Sequence, residues 1–339
     1  MLYIRTDSNS IISGGHVMRC IAIAKSMQKT GLDVCFLISD ESSTHLLMDS
    51  DLKYIVLNSD WQDLMTDVET VKKILQRTQP AILLIDTYSV TKEYIDALKP
   101  YCKVGYLGSK KEHLGDLDFL INYSTDIDYR FYCENYGKKT RLFLGPSYAP
   151  LRDEFQKIEH LYRDRIERIF LTTGNTDCEH IVDSIIEGLQ PHIQGAKIVL
   201  DVVLGRMFEN KNYLKKKYGQ DNHIVFHDNV KSMSVLMKEC DLAISANGTT
   251  VYELSAMGLP TISFAMVEEQ VNSAEAMSRL GVIDYCGRSY MNKDECVKRI
   301  VERVNYYINH HGDLINLAQK AHDLIDGNGC RNIVMALMG

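Results

Sequence analysis

Short apolar runs alternate with longer segments of helical period almost from end to end of the chain, a pattern that predicts parallel sheets built from strand-helix-strand units. In the first half the expected strands are 2–5, 33–38, 53–57, 81–86, 103–107, 117–121 and 141–144. Between them 16–29, 62–77 and 91–99 read as helices, the last two ending near Pro80 and Pro100, whose rings cannot continue a helix. A charged stretch, Leu151 to Glu167, also reads as helical, and the alternation then restarts. Strands are expected at 168–172, 197–203, 222–226, 240–245 and 259–264, and helices at 177–189, 208–218, 230–238, 248–257 and 268–279, with 293–325 mostly helical. The fold class that follows is α/β, in two similar halves. With the boundary near Pro150, the expected domains are 1–150 and 151–339, facing each other across a cleft.

Composition narrows the partners more than the fold. The 339 residues are 45% hydrophobic, 24% charged and 9% aromatic, ordinary for a soluble globular protein. Lys plus Arg number 38 against 45 Asp plus Glu, a formal charge of -7, and no basic run exceeds Lys215-Lys216-Lys217, so nucleic acid and anionic membrane surfaces are poor partners. Nine cysteines are scattered singly, without a CxxC pair or a Cys/His spacing that signals metal, and read as reduced thiols. The N-terminus lacks a cationic segment followed by an apolar one, and no apolar run approaches the roughly 18 residues of a membrane helix. A cytoplasmic location is expected, with no membrane insertion, no cofactor and no metal; the oligomeric state stays open.

In doubly wound sheets ligands bind beyond the carboxyl ends of the strands, so the strand-to-helix turns are the places to search. The earliest, Arg5-Thr6-Asp7-Ser8-Asn9-Ser10-Ile11-Ile12-Ser13-Gly14-Gly15-His16, is a polar loop running into an apolar helix. Gly14 and Gly15 allow close backbone approach there, and the helix offers unpaired N–H groups to an anion. His16 falls where the helix dipole disfavours imidazolium, as a general base requires, and is the catalytic candidate among the eleven histidines. The competing reading is a tight turn with His16 toward solvent. Arg5 and Asp7 read either as substrate contacts or as a salt bridge fixing the loop. At the second turn Asp86, Thr87 and Tyr88 emerge together, suited to a substrate contact, although an Asp there is as often a cap.

The third turn, Thr172-Thr173-Gly174-Asn175-Thr176-Asp177, is dense in hydroxyls and backbone donors. It suits phosphate, or else Asp177 simply caps the next helix. The fourth is the most specific: a strand runs into Ser245-Ala246-Asn247-Gly248-Thr249-Thr250, with Glu253 one turn along the following helix. Its donors suit a diphosphate and its acid the ribose hydroxyls. After the next strand, Glu268-Glu269-Gln270 begins another helix at the same sheet edge.

These residues carry a resemblance. Ile4-Arg5-Thr6-Asp7, Gly15-His16-Val17-Met18-Arg19-Cys20, Leu144 to Phe155 and Ile244 to Glu253 together resemble the UDP-sugar hydrolase family of the pseudaminic acid pathway, which includes spore coat polysaccharide biosynthesis proteins of about this length. The resemblance spans residues 1 to about 280. The second half also looks like the donor-binding domain of the UDP-GlcNAc transferase that makes lipid II. Two Rossmann-like domains in a glycosyltransferase B arrangement are what it implies.

Implied with them is metal-independent hydrolysis of UDP-2,4-diacetamido-2,4,6-trideoxy-β-L-altropyranose or a close relative, serving surface or spore-coat polysaccharide. Carried over, His16 matches the base that activates water, and Tyr88 a substrate-site tyrosine. Gly248, Thr249 and Thr250 match the diphosphate turn and Glu253 the ribose-binding acid. Arg5, Asp7, Gly14, Gly15, Arg152, Gly174, Asn247, Glu269 and Gln270 complete the expected UDP-sugar contacts. The chain departs from the family pattern at Thr173, Asn247, Glu269 and Gly108-Ser109. A UDP-sugar glycosyltransferase on the same fold, or a non-catalytic sugar-nucleotide-binding partner, are the alternatives.

Overall fold

The computed structural model describes residues 1–9, 12, 14–156, 158, 162–177 and 179–338. They divide into two compact units, Met1–Asp153 with Asn328–Gly339, and Glu154–Gly327. The first holds seven strands: β1 (Leu2–Thr6), β2 (Val34–Ile38), β3 (Lys53–Val56), β4 (Ile82–Asp86), β5 (Lys103–Leu107), β6 (Phe119–Asn122) and β7 (Arg141–Leu144). All pair in parallel in the order β3-β2-β1-β4-β5-β6-β7. Strands β2, Val-Cys-Phe-Leu-Ile, and β4, Ile-Leu-Leu-Ile before its closing Asp86, are near-continuous apolar runs because helices cover both sheet faces.

Successive residues of a strand point to opposite faces. Leu2, Ile4, Phe36 and Leu84 therefore pack with helix Gly15–Gln28 in one core, while Tyr3, Leu37, Leu83 and Ile85 pack with helices Val68–Thr78 and Lys92–Leu98 in the other. Arg5 falls on the second face by the same alternation, a charge at an apolar position.

The second unit repeats the plan with β8 (Arg168–Thr172), β9 (Val199–Leu204), β10 (Ile224–Asp228), β11 (Leu242–Ala246), β12 (Thr261–Ala265) and β13 (Asp284–Arg288), all parallel in the order β10-β9-β8-β11-β12-β13. In each sheet the first strand of the unit lies beside both the second and the fourth. The winding therefore reverses between β1 and β4, and between β8 and β11, which is where open α/β sheets bind ligands.

Several elements differ from the periodicity. Strand β13 was not anticipated, because Asp-Tyr-Cys-Gly-Arg at a half-covered sheet edge carries little apolar signal. Short helices Thr44–Asp49 and Tyr129–Tyr136 were also missed. The described part of 151–167 forms a single 3-10 turn, Asp153–Phe155, instead of the expected helix. The expected second domain, 151–339, loses its last helix, Gly329–Met338, to the first unit. Cys330, Ile333, Val334 and Leu337 sit at helical spacing and enter the core around helix Gly15–Gln28. Burying a full aliphatic side chain contributes roughly 1.5–3 kcal/mol, enough to explain the return of this helix across the chain.

Candidate active site

The carboxyl ends of β1 and β4 bring His16 and Asp86 together. Asp86 is the last residue of β4, paired in register with Thr6, and is wholly buried. His16 is the second residue of its helix, whose N-cap is Gly14. The His16 Nδ1 lies 2.5 Å from Asp86 Oδ1. Arg19, one turn along the helix, donates from Nε to Asp86 Oδ2 at 2.6 Å and from Nη2 to Oδ1, and its Nη1 donates to the Tyr123 hydroxyl at 2.9 Å.

The charge state of this group follows from its partners. Burial alone would raise the Asp86 pKa, but the Arg19 guanidinium and the hydrogen bonds from Arg19 and His16 outweigh it and hold the carboxyl down at about 2. An ionised carboxylate only accepts, so the His16 proton facing it sits on Nδ1 and the 3.0 Å approach of Arg19 Nη2 to that nitrogen is a contact without a bond. This tautomer leaves Nε2 as the nitrogen that can take a proton, the base-and-orienter logic of hydrolytic triads. Burial and the Asp86 charge push the Cys20 thiol well up, so it stays protonated and donates to Asp86 Oδ2 at 3.2 Å.

Arg5 is placed differently from the expectation of a substrate contact. It is 0% exposed and its guanidinium is fully engaged within the protein, donating to Asp7 Oδ2 at 2.5 Å, to Ser39 Oγ at 2.6 Å and to Asp67 Oδ2 at 3.1 Å. Tyr94 closes the cluster with a 2.8 Å bond to Asp67 Oδ1. The salt-bridge reading is the one the geometry supports, because a charge on an apolar sheet face must be paired. Asp7, also held by the Ser39 N–H at 2.7 Å, does reach a small open pocket.

That pocket is lined by Asp7, Ile12, Trp61 and Thr87 beside His16, Asp86 and Tyr88. The Tyr88 ring is 65% exposed and stands edge-on to the His16 ring at 4.5 Å between centroids. Neither Gly14 nor Gly15 has a positive φ, and a Cβ built on Gly15 would meet nothing within 4 Å. The glycines thus leave open space at the helix start, and no strained turn demands them. Ser10, Ile11 and Ser13 of the loop lie outside the described residues. Arg152 is half-buried in the segment after β7 and is not part of this pocket's lining.

In the second unit the corresponding turns follow β8 and β11. Gly174 takes φ +83, a left-handed conformation open to glycine, and its N–H is held by Thr172 Oγ1 at 3.1 Å. Thr173 turns its hydroxyl inward to Thr176 O at 2.7 Å. Asp177 accepts from the Ile181 N–H at 2.9 Å, so the helix starts at Ile181 and not at 177, and the capping alternative describes this residue. Asn247 is buried and donates from Nδ2 to Gln270 O at 3.1 Å, while Gln270 Oε1 accepts from the Met266 N–H at 2.8 Å. The Asn247 side chain thus ties the loop after β11 to the loop after β12, while the Gln270 side chain holds its own loop.

Gly248 and Thr249 are exposed, Thr250 and Glu253 half-buried, and helix Thr249–Ala256 has no side-chain cap. The Val251 N–H donates to Gly248 O at 3.2 Å, and helix geometry gives the N–H groups of Thr249 and Thr250 ahead of it no intrahelical acceptor. Glu269 is exposed on the next 3-10 turn.

Three residues of the first-unit site went unassigned from the sequence. The sequence signal at Asp86 is an acid closing the wholly apolar run Ile82–Ile85. Arg19 is one turn from His16 on the same helix face, and Trp61 interrupts a polar loop after β3. Among the described residues no His, Cys, Asp and Glu side chains converge in a way that could hold a metal ion, and no helix is long and apolar enough to cross a membrane.

A family model described as "Protein of unknown function (DUF354)" matches residues 167–326. An uncharacterized protein, MJ1062, of Methanocaldococcus jannaschii is 26% identical over 271 residues, 76% of this chain and 54% of that protein, so the chain spans about half the length of this relative. The spore coat polysaccharide biosynthesis protein SpsG of Bacillus subtilis is 20% identical over 331 residues, covering 95% of this chain and 93% of that one. Among solved structures, MurG of Acinetobacter baumannii superposes with a TM-score of 0.72 at 13% identity over 99% of both chains. UDP-GlcNAc 2-epimerase of Neisseria meningitidis bound to UDP-GlcNAc does so at 0.69 and 14% identity over 100% of both. The chain therefore has the fold of two Rossmann-like α/β domains seen in glycosyltransferase B enzymes and sugar-nucleotide epimerases.

Proposed function

We propose that the protein hydrolyses a UDP-linked diacetamido-trideoxy sugar, UDP-2,4-diacetamido-2,4,6-trideoxy-β-L-altropyranose or a close relative, to UDP and the free sugar, in the service of surface or spore-coat polysaccharide. The observation that carries the reading is the 2.5 Å contact between His16 Nδ1 and a buried, ionised Asp86 at the winding reversal of the first sheet. Asp86 fixes the ring and its tautomer, and His16 Nε2 takes a proton from water as the water oxygen bonds to the anomeric carbon. The bond between that carbon and the diphosphate oxygen breaks, and UDP leaves with the electron pair. Gly174, Gly248, Thr249 and Thr250 offer backbone and hydroxyl donors suited to a diphosphate, and Glu253 an acceptor suited to the ribose hydroxyls.

The likeness to SpsG, a spore coat polysaccharide biosynthesis protein, and to folds that handle UDP-sugars supports the substrate class. A second reading, suggested by the fold shared with a glycosyltransferase of Rickettsia africae, is a transferase in which an acceptor hydroxyl replaces water at the same base. A third is a silent sugar-nucleotide-binding protein. One experiment separates them: phosphorus NMR of the diacetamido-altrose nucleotide in 18O-water, with and without chelator, for wild type and His16→Gln. UDP release without acceptor, with 18O on the sugar and loss in His16→Gln, is the expected result. Release only with an added acceptor selects the transferase, and binding without turnover selects the silent partner.

A further inference from the structure

The pocket beside His16 has a wall that the proposed hydrolysis leaves without a task. Trp61, the one tryptophan of the chain, lines it with Ile12 and Tyr88. It is half-buried on a loop that is held firmly. Leu57 and Ser59 donate from their N–H groups to Ile38 O at 2.8 Å and Ser39 O at 3.0 Å, and the Ser59 hydroxyl donates to Asp67 Oδ2 at 3.3 Å. Around the indole, the Asp60 N–H donates to Thr66 Oγ1 at 3.1 Å and the Gln62 N–H to Asp60 Oδ1 at 2.8 Å. The loop backbone that carries Trp61 is thus anchored to the same Arg5–Asp67 cluster that holds Asp7. Two partly exposed aromatic rings beside a carboxylate acceptor match a pyranose, whose C–H faces meet aromatic surface while its O–H and N–H groups need acceptors.

We propose that Trp61 is the sugar-recognition residue of this pocket, and that the wall it makes with Ile12 and Tyr88 selects pyranoses bearing methyl groups, in an acetamido group or at C6, over fully hydroxylated ones. The inference rests on the sugar-nucleotide reading above. A hydroxyl turned against such a wall loses its water partners and gains none, whereas a methyl group loses only contact with water. Discrimination by an apolar wall of this kind is modest, roughly ten- to a hundredfold.

Because Trp61 is the single tryptophan, its fluorescence reports this pocket alone. The test titrates UDP, UDP-glucose, UDP-GlcNAc and the diacetamido-trideoxy nucleotide, following tryptophan emission and calorimetric heat in parallel. Emission should change with UDP-GlcNAc and more with the diacetamido nucleotide, not with UDP, and affinity should rise in the same order. A gain already complete with UDP-GlcNAc assigns the wall to the acetamido methyl, and one confined to the trideoxy sugar assigns it to C6. Trp61→Ala should lose about tenfold in affinity for the methyl-bearing sugars with UDP affinity unchanged, and Trp61→Phe should keep most of it. Calorimetric binding of these sugars with silent emission, or a Trp61→Ala protein that binds them as wild type does, overturns the proposal even if UDP is released. The emission response without UDP release leaves it standing and overturns hydrolysis alone; no heat and no emission change with any nucleotide overturns both.

Discussion

Arg19 and Asp86 form a bidentate pair in the first unit, with Nε donating to Oδ2 at 2.6 Å and Nη2 to Oδ1. The pair is what makes an ionised carboxylate tolerable at a position that is 0% exposed. Ionisation in turn makes Asp86 a pure acceptor, and so sets the His16 tautomer. A Lys at position 19 would supply charge but not the planar fork. Arg19→Lys is therefore expected to keep the fold and lose roughly 10- to 100-fold in turnover, with the Nδ1-protonated signal of His16 weakened in nitrogen NMR. A variant with wild-type turnover and an unchanged ring signal would show that Arg19 does not position this group.

Asp86→Asn keeps the shape of the side chain while removing the charge, and its amide can present either oxygen or nitrogen to the imidazole. A wrong tautomer in a comparable serine-hydrolase pair costs about 10^4 in turnover, and a loss of roughly 10^3 to 10^4 is expected here with substrate affinity little changed. The measurement is single-turnover UDP release alongside calorimetric binding. A loss confined to affinity would place Asp86 in binding and not in the orientation of His16.

Acid should release this carboxylate late. Its folded pKa of about 2 lies below the ordinary 3.8, so its contribution is present in full above about pH 4 and is lost as pH falls through 2. The difference corresponds to about 2 kcal/mol. Urea unfolding of wild type and Asp86→Asn should therefore show a stability gap at pH 5 that narrows toward pH 2. An equal gap at both ends would mean that the ionised form is not what the fold stabilises.

The sheet strands other than β13 were legible because helices cover both of their faces and leave short apolar runs. His16 was legible because glycines and a helix start surround it. Asp86 was not, since its partners lie 70 positions away at His16 and 67 away at Arg19, and only the β1–β4 pairing brings them together. Arg5 was half legible: its neighbour Asp7 is visible in sequence, whereas Asp67 and Tyr94 come from two other helical segments. The bond from Asn247 Nδ2 to Gln270 O joins two loops 23 positions apart and has no sequence signature.

The Arg5 cluster carries its own prediction. Burial raises the pKa of Asp67, and the charge of Arg5 with the hydrogen bonds from Tyr94, Arg5 and Ser59 works against that rise. Arg5→Met would leave Asp7 and Asp67 buried without a counter-charge, and breaking a buried pair from one side typically costs 3–5 kcal/mol. The double variant Arg5→Met with Asp67→Asn should recover part of that loss. Urea midpoints of the three proteins check it, and a neutral Arg5→Met would show that the cluster is solvated in solution.

The turn after β8 rests on one neighbouring glycine. A Cβ on Gly205, one residue beyond β9, would fall 2.1 Å from Gly174 O and 2.6 Å from Asn175 O, which are backbone atoms and cannot rotate aside. Gly205→Ala must therefore push the Thr173–Asp177 turn outward, while the His16–Asp86 pair belongs to the other unit and keeps its geometry. Overpacking of this kind costs typically 1–3 kcal/mol of stability. If the turn holds the diphosphate, UDP affinity measured by calorimetry falls about tenfold or more, while the His16 nitrogen signals stay at their wild-type positions. UDP binding at wild-type strength, in a variant whose unfolding midpoint has dropped, would remove the β8 turn from the nucleotide site and leave the Gly248-Thr249-Thr250 turn to carry it.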